Sequence, residues 1–314
     1  ASPRNMYYAN TGHFTANDPR GAAYQTDGKL YQYRNKNNSW QNTTGAYVGG
    51  PIVQDKLFFF VNGEFTKTDG TSARYATNTS PANLTRGWNE YTYEYPRWTA
   101  KIDWNITDNH VIELTGVSDV TKYDAEYYSF DYNKFTHGDV QTGGISTKED
   151  SKLYIGKYTG YLTDNLTLSA LYGRQKIEHS QGLYNYDASC PYISAGTTAR
   201  VPGLNYSGCQ STTSLVNADG AFDETKGGRI DLTWRLGNHE LRFGFDRQDA
   251  ESLTGTEYPG GYGWIYRRST NPNTPIDASH GVSSAASGGG LGAQGYYVYR
   301  LYSTKLAQPK TEQA

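Results

Sequence analysis

The sequence has a single methionine, two cysteines and no apolar run longer than the five residues Leu57 to Val61. A membrane-spanning helix needs roughly 20 consecutive apolar residues, so helical spans are excluded. Strands of a membrane barrel are not, because every second residue of such a strand is polar. Hydrophobic residues make up only 36% of the 314, which is lean for the core of a soluble enzyme of this size. Charge of either sign is nearly balanced, with 29 basic and 31 acidic residues for a net −2, so there is no footprint for nucleic acid. The six histidines are scattered. No HExxH, His/Cys cluster or Ser/His/Asp arrangement emerges, so no catalytic residue, metal or cofactor is expected and the chain does not read as an enzyme. It begins Ala1-Ser2-Pro3-Arg4-Asn5, without the basic and apolar regions of a leader; this reads as a processed chain or a piece of a longer one.

What is abundant is 29 Tyr, 35 Gly and six Trp, a composition favoured in β structure and at membrane interfaces. Period-2 alternation dominates, and helical spacing is almost absent. Trp98, Ala100, Ile102 and Trp104 alternate with Arg97, Thr99, Lys101 and Asp103. After Thr107-Asp108-Asn109 the returning segment sets Ile112, Leu114 and Gly116 against Glu113 and Thr115. The pattern recurs around Gln54-Asp55-Lys56, Thr163-Asp164-Asn165 and Gly237-Asn238. Asp, Asn, Gly and Thr are what tight hairpin turns favour.

Nine strands are predicted: Thr44–Val53, Leu57–Thr66, Tyr95–Ile106, His110–Lys122, Ser151–Leu162, Leu166–Glu178, Thr225–Leu236, His239–Asp249 and Gln294–Ser303. Between hairpins lie polar, Tyr- and Gly-rich segments, read as long loops over 69–93, 123–150, 179–225 and 251–293. Short turns on one side, long loops on the other and strands of about ten residues fit an antiparallel transmembrane β-barrel. The turns are then periplasmic and the loops extracellular. On the apolar face Leu57, Phe59, Val61, Phe65, Tyr154, Tyr158, Leu166, Leu168, Tyr172, Ile230, Leu232, Trp234, Leu241, Phe243 and Phe245 carry no charge. The other face carries Arg229, Asp231, Arg235, Glu240, Arg242 and Asp246 besides the charges already named. A cation at mid-depth on the lipid face costs about 2–4 kcal/mol, which accounts for that segregation. Arg174 and Arg247 depart from it, continuing the outward phase where their strands must be leaving the hydrocarbon or lie against a loop. An odd strand count leaves edges unpaired in lipid, so a fragment of a larger barrel is expected. Residues 1–43 then form an extracellular loop segment, 44–303 a partial barrel and 304–314 a C-terminal tail.

Cys190 and Cys209 flank a short polar loop. Such a pair suits a disulfide in an oxidising compartment, worth about 3 kcal/mol against the open loop, two free thiols being the alternative. Gly290-Leu291-Gly292-Ala293-Gln294-Gly295 spells a dinucleotide-type motif, but it opens onto a strand rather than a helix, so no cofactor is expected.

Two stretches carry a family likeness. Gly49-Gly50-Pro51-Ile52-Val53-Gln54-Asp55-Lys56-Leu57-Phe58-Phe59-Phe60 resembles a hairpin near the start of Oar-like TonB-dependent receptors. Lys101 to His110 is similar to the strand and turn that follow it there. The resemblance implies a plugged barrel of about 22 strands in the bacterial outer membrane. It implies energy-coupled uptake of a nutrient ligand, with outer-membrane lipid around the wall and the TonB–ExbB–ExbD system acting through a part outside this chain. A passive porin-type channel and a structural or adhesive surface barrel are the alternatives. Ligand would first meet loop aromatics, for which Tyr127, Tyr128, Tyr132, Tyr184, Tyr186, Tyr262 and Trp264 are the candidates. Such rings stack on sugars or flat chelates at low entropic cost; packing of the loops against one another is the other reading.

Overall fold

The computed structural model describes residues 4–21, 25–74, 82–184, 192–195, 216–257, 262–269, 275–277, 282–283, 291–292, 295–303 and 310–313. Among these there is no helix, and the long elements are eight strands that run in a meander. They are β1 (Asn38–Val53), β2 (Leu57–Ala73), β3 (Ala82–Thr107), β4 (His110–Asp131), β5 (Thr136–Thr163), β6 (Leu166–Leu183), β7 (Phe222–Leu236) and β8 (His239–Leu253). Each lies beside its sequence neighbour in one sheet, and the short strand Lys310–Gln313 pairs antiparallel with β8.

The turns fall where the sequence puts them. Asp55, in the β1–β2 turn, has φ 58°, and Gly237, in the β7–β8 turn, has φ 57°. Both sit in the left-handed region that Gly and Asp tolerate best. Register then lines up the two faces. Leu57 stands opposite Trp104, Trp104 opposite Ile112 and Ile112 opposite Tyr158. Further along, Leu168 stands opposite Leu232 and Leu232 opposite Phe243. Directly opposed residues share a face, so the apolar positions of successive strands merge into one band. That band is uncovered: Phe245 is 68% exposed, Tyr172 57% and Ile230 53%. A sheet folded in water would bury this face; a barrel presents it to lipid.

The strands are longer than the sequence reading allows. β3 has 26 residues and β5 has 28, so at about 3.3 Å per residue each far exceeds an apolar belt of about 25 Å. Much of 69–93 and 123–150, read as loop, is therefore strand, and the β4–β5 connection shrinks to residues 132–135. The cause is chemical. Beyond the membrane both faces meet water, so the apolar/polar contrast vanishes, while Tyr and Thr still favour the extended backbone. The predicted strand Gln294–Ser303 exists as Gly295–Ser303 but does not join this sheet. It pairs with Tyr262–Ser269, which also pairs in parallel with Tyr192–Ala195.

The contacts divide the chain into two units. One holds the meander, within Ala1–Gln181, Asp219–Thr254 and Lys310–Ala314; the other spans Gly182–Ala218 and Gly255–Pro309 and holds the smaller sheet. Within the first unit, a small buried cluster caps the long-connection end of β2, β3 and β4. Ala73, Trp88, Phe130 and Tyr132 form it, with Tyr33 and Phe135 packed alongside. Trp88 stacks on Phe130 at 5.9 Å, and Tyr33 on Phe135 at 4.5 Å. Part of the segment preceding β1 is pinned here, through Gln32, Tyr33 and Asn37. Gln32 Nε2 donates to the Ala73 carbonyl at 2.5 Å, and the Ala73 amide donates to Asn37 Oδ1 at 2.9 Å. Asp18 is buried beneath the exposed Arg20, whose Nη2 approaches its Oδ2 to 2.8 Å.

Candidate functional site

The face opposite the apolar band carries the polar chemistry. In the turn-proximal half, Asp103 stands opposite Glu113 and Glu113 opposite Lys157. Lys101 Nζ lies 2.8 Å from Asp103 and 3.3 Å from Glu113, and Lys157 Nζ lies 2.7 Å from Glu113. One level further from the turn, Arg97 Nε donates to Asp119 at 2.8 Å and its Nη1 lies 3.8 Å from Glu64. On β7 and β8 the same face pairs Arg229 with Asp231 at 2.6 Å and Arg242 with Glu240 at 2.6 Å. These groups are substantially exposed and solvent-screened, so each pair taken alone contributes little to stability. Their collective effect is a wall that offers alternating donors and acceptors to a polar solute.

Towards the long connections the wall turns aromatic. Tyr91, Tyr93 and Tyr95 occupy alternate positions of β3 in phase with Arg97 and Lys101, so they project from the polar face. Tyr93 and Tyr95 stack at 6.0 Å with planes 3° apart, and Tyr91 meets Tyr93 edge-on at 5.8 Å. Tyr123 packs on Tyr93 at 4.5 Å from β4, and the Arg97 guanidinium lies 5.4 Å from the Tyr95 ring centre. Gly70 makes room for this column, since a Cβ there would strike the Tyr91 ring. One strand therefore carries three rings, then Arg97, then Lys101 and Asp103, in a strip running from the long-connection end towards the short turn. Flat apolar ring faces followed by paired charges can hold and hand on a polar ligand.

The candidate aromatics of the connections are distributed otherwise. Tyr127 and Tyr132 are buried, each 8% exposed. The Tyr132 hydroxyl donates to the Arg74 carbonyl, and burial raises the phenol above its ordinary value. Tyr128 packs against the Trp88–Phe130 cluster, and its hydroxyl donates to Glu126 at 2.6 Å. Tyr184 is half-buried and belongs to the other unit, as does the strand bearing Tyr262 and Trp264. Tyr186, Cys190 and Cys209 lie outside the described residues. The structure thus gathers Tyr128 and Tyr132 around one cluster. The Tyr91-Thr92-Tyr93-Glu94-Tyr95 column escaped the sequence reading, although its strict alternation was the signal for it.

A family model described as "Outer membrane beta barrel domain" matches residues 71–290. No curated protein matches. Among solved structures, the crystal structure of the outer membrane transporter YddB from Escherichia coli is similar at 14% identity, with a TM-score of 0.45. That similarity covers 78% of this chain and 29% of the transporter's chain, so the chain spans less than a third of the length of that relative.

Proposed function

Because the chain belongs to the family of outer membrane beta barrel domains, residing in the bacterial outer membrane, we propose that it forms part of the wall of a TonB-dependent receptor for energy-coupled nutrient uptake. The strip Tyr91, Tyr93, Tyr95, Arg97, Lys101, Asp103 carries this reading, because it provides a graded path on the polar face. The family-like hairpin from Gly49 to Phe60 supports the TonB-dependent class. The path suits a neutral or zwitterionic solute with a flat face, since rings and balanced ion pairs repel neither sign of charge. Within the meander unit Tyr128 is proposed as a first contact for ligand, with Tyr127 and Tyr132 as its support; within the other unit Tyr184, Tyr186, Tyr262 and Trp264 are proposed as first contacts of their own, and Cys190 with Cys209 as a disulfide. Coupling to TonB–ExbB–ExbD is assigned to a part of the protein outside this chain.

The experiment is growth or labelled-ligand uptake by cells carrying the intact protein, with and without TonB. Uptake abolished by loss of TonB supports the receptor. Uptake that persists identifies a passive channel, and no uptake-dependent phenotype at all identifies a surface structural barrel.

A further inference from the structure

The apolar band is not uniform. On its β4–β8 portion, Gly156 and Gly228 stand among Leu114, Tyr172, Ile230 and Phe245, and together they outline a groove of ≈ 840 Å³. Strand packing does not require glycine at either place. A Cβ at Gly156 would meet Leu114 Cδ2 at 3.5 Å, and one at Gly228 would meet the Leu171 carbonyl at 3.6 Å. These are ordinary contacts, so the small residues serve to leave the groove open.

The end of the groove nearer the long connections is charged, with Asp249 directly opposite Lys226. Lys226 and Arg247 line it, and Arg174 stands directly opposite Lys226 across the β6–β7 pair. Like charges directly opposed in a sheet are destabilising. Glu224 offsets part of this, with its Oε2 2.5 Å from Arg174 and its Oε1 3.7 Å from Lys226. Arg247 contacts Asp249 at 3.1 Å. Arg174, Lys226 and Arg247 thus share Glu224 and Asp249, while the neighbouring Lys176 is paired with Glu178. Each guanidinium directs both its Nε and its Nη2 at one carboxylate oxygen, two of its five N–H donors. The level suits them. Arg or Lys on the lipid face costs about 0–1 kcal/mol near the interface, against about 2–4 at the midplane. Phosphate headgroups lie at that level, and Arg recognises phosphate with its planar fork.

We propose that this groove binds one anionic membrane lipid, its acyl chain along Gly156 and Gly228 and its phosphate on Arg174, Lys226 and Arg247. The inference stands on the barrel's orientation and does not depend on what the lumen transports.

Native mass spectrometry of the intact protein, released from detergent after incubation with phosphatidylglycerol or with phosphatidylcholine of the same chains, tests it. Retention of phosphatidylglycerol at least about tenfold above phosphatidylcholine is expected, a difference of about 1.4 kcal/mol. Arg174→Gln/Lys226→Gln/Arg247→Gln should erase the preference, and Gly156→Leu/Gly228→Leu should lower retention of both lipids. Glu224→Gln, which keeps all three cations, should raise phosphatidylglycerol retention and serves if the triple variant does not fold. Equal retention of the two lipids by the wild type overturns the proposal, as does a preference that survives loss of the three cations. Displacement of the lipid by millimolar inorganic phosphate would show a plain anion site and overturn the lipid assignment.

Discussion

The Tyr93 ring on β3 packs against the Tyr123 ring on β4 with centroids 4.5 Å apart, at directly opposed positions of the pair. That contact joins the aromatic column to the next strand and keeps its faces aligned with the charged wall below. If the column guides ligand, its loss should be felt in transport more than in folding. Replacing Tyr91 and Tyr95 with Leu, which keeps apolar bulk and β propensity, is expected to lower ligand affinity by roughly five- to tenfold, about 1 kcal/mol. Heat-modifiable mobility on gels should stay unchanged.

The two faces of β3 and β4 should respond oppositely to charge. Ile102→Arg places a guanidinium on the lipid side near mid-depth and is expected to cost about 2–4 kcal/mol. Thr115→Arg faces the polar wall directly opposite Lys101, where the exposed like-charge repulsion should keep its cost to about 1 kcal/mol or less. Urea titration of folding into lipid vesicles measures both.

The Trp88–Phe130 stack organises the long-connection end. Phe130, only 1% exposed, should cost about 3–5 kcal/mol when truncated to Ala. The loss should be local. Trypsin is expected to cut after Arg34, Lys36 and Arg74 faster in Phe130→Ala, while the β5–β8 region resists as before.

The N-terminal segment carries a titratable latch. A side-chain hydrogen bond from Arg20 holds the Asp18 carboxyl down at about 2 against an ordinary 3.8. A carboxyl depressed on folding stabilises the folded segment fully above its unfolded value and loses that contribution as pH falls through the folded one. Proteolytic protection of residues 4–21 should therefore hold at pH 5 and decline between about pH 4 and pH 2. In Asp18→Asn it should be weaker and flat across that range. Protection that does not change between pH 5 and pH 2 in the wild type would discount the latch.

Topology predicts labelling. With Cys190 and Cys209 replaced by Ser, a cysteine at Asn238 should react with a membrane-impermeant maleimide only after the outer membrane is breached. One at Lys134, in the β4–β5 connection, should react on intact cells.

The band from Leu57 through Trp104, Ile112 and Tyr158 was legible because lipid on one side and water on the other impose opposite demands on alternate residues. Asp55 and Gly237 marked their turns because few residues accept a positive φ. What was illegible follows from the same physics. Past the membrane both faces of β3 and β5 are wet, and Tyr91 and Tyr93 fell in the stretch read as loop because their alternation with Thr and Glu lacks a strongly apolar face. The strand ending at Ser303 was recognised by its alternation, but alternation does not name a partner. Its pairing with Tyr262–Ser269 arises from a contact distant in sequence, of which local pattern carries no trace.

The meander has one more consequence, for how the wall is assembled. Every long strand pairs with its immediate sequence neighbours, and four of the joints, such as Asp108-Asn109, are only two or three residues long. Closing so short a loop costs little chain entropy, and contacts close in sequence form early. Each hairpin can thus arrive as a finished unit and be laid against the growing edge, so that only the two outer edges of the sheet carry unpaired backbone groups at any moment.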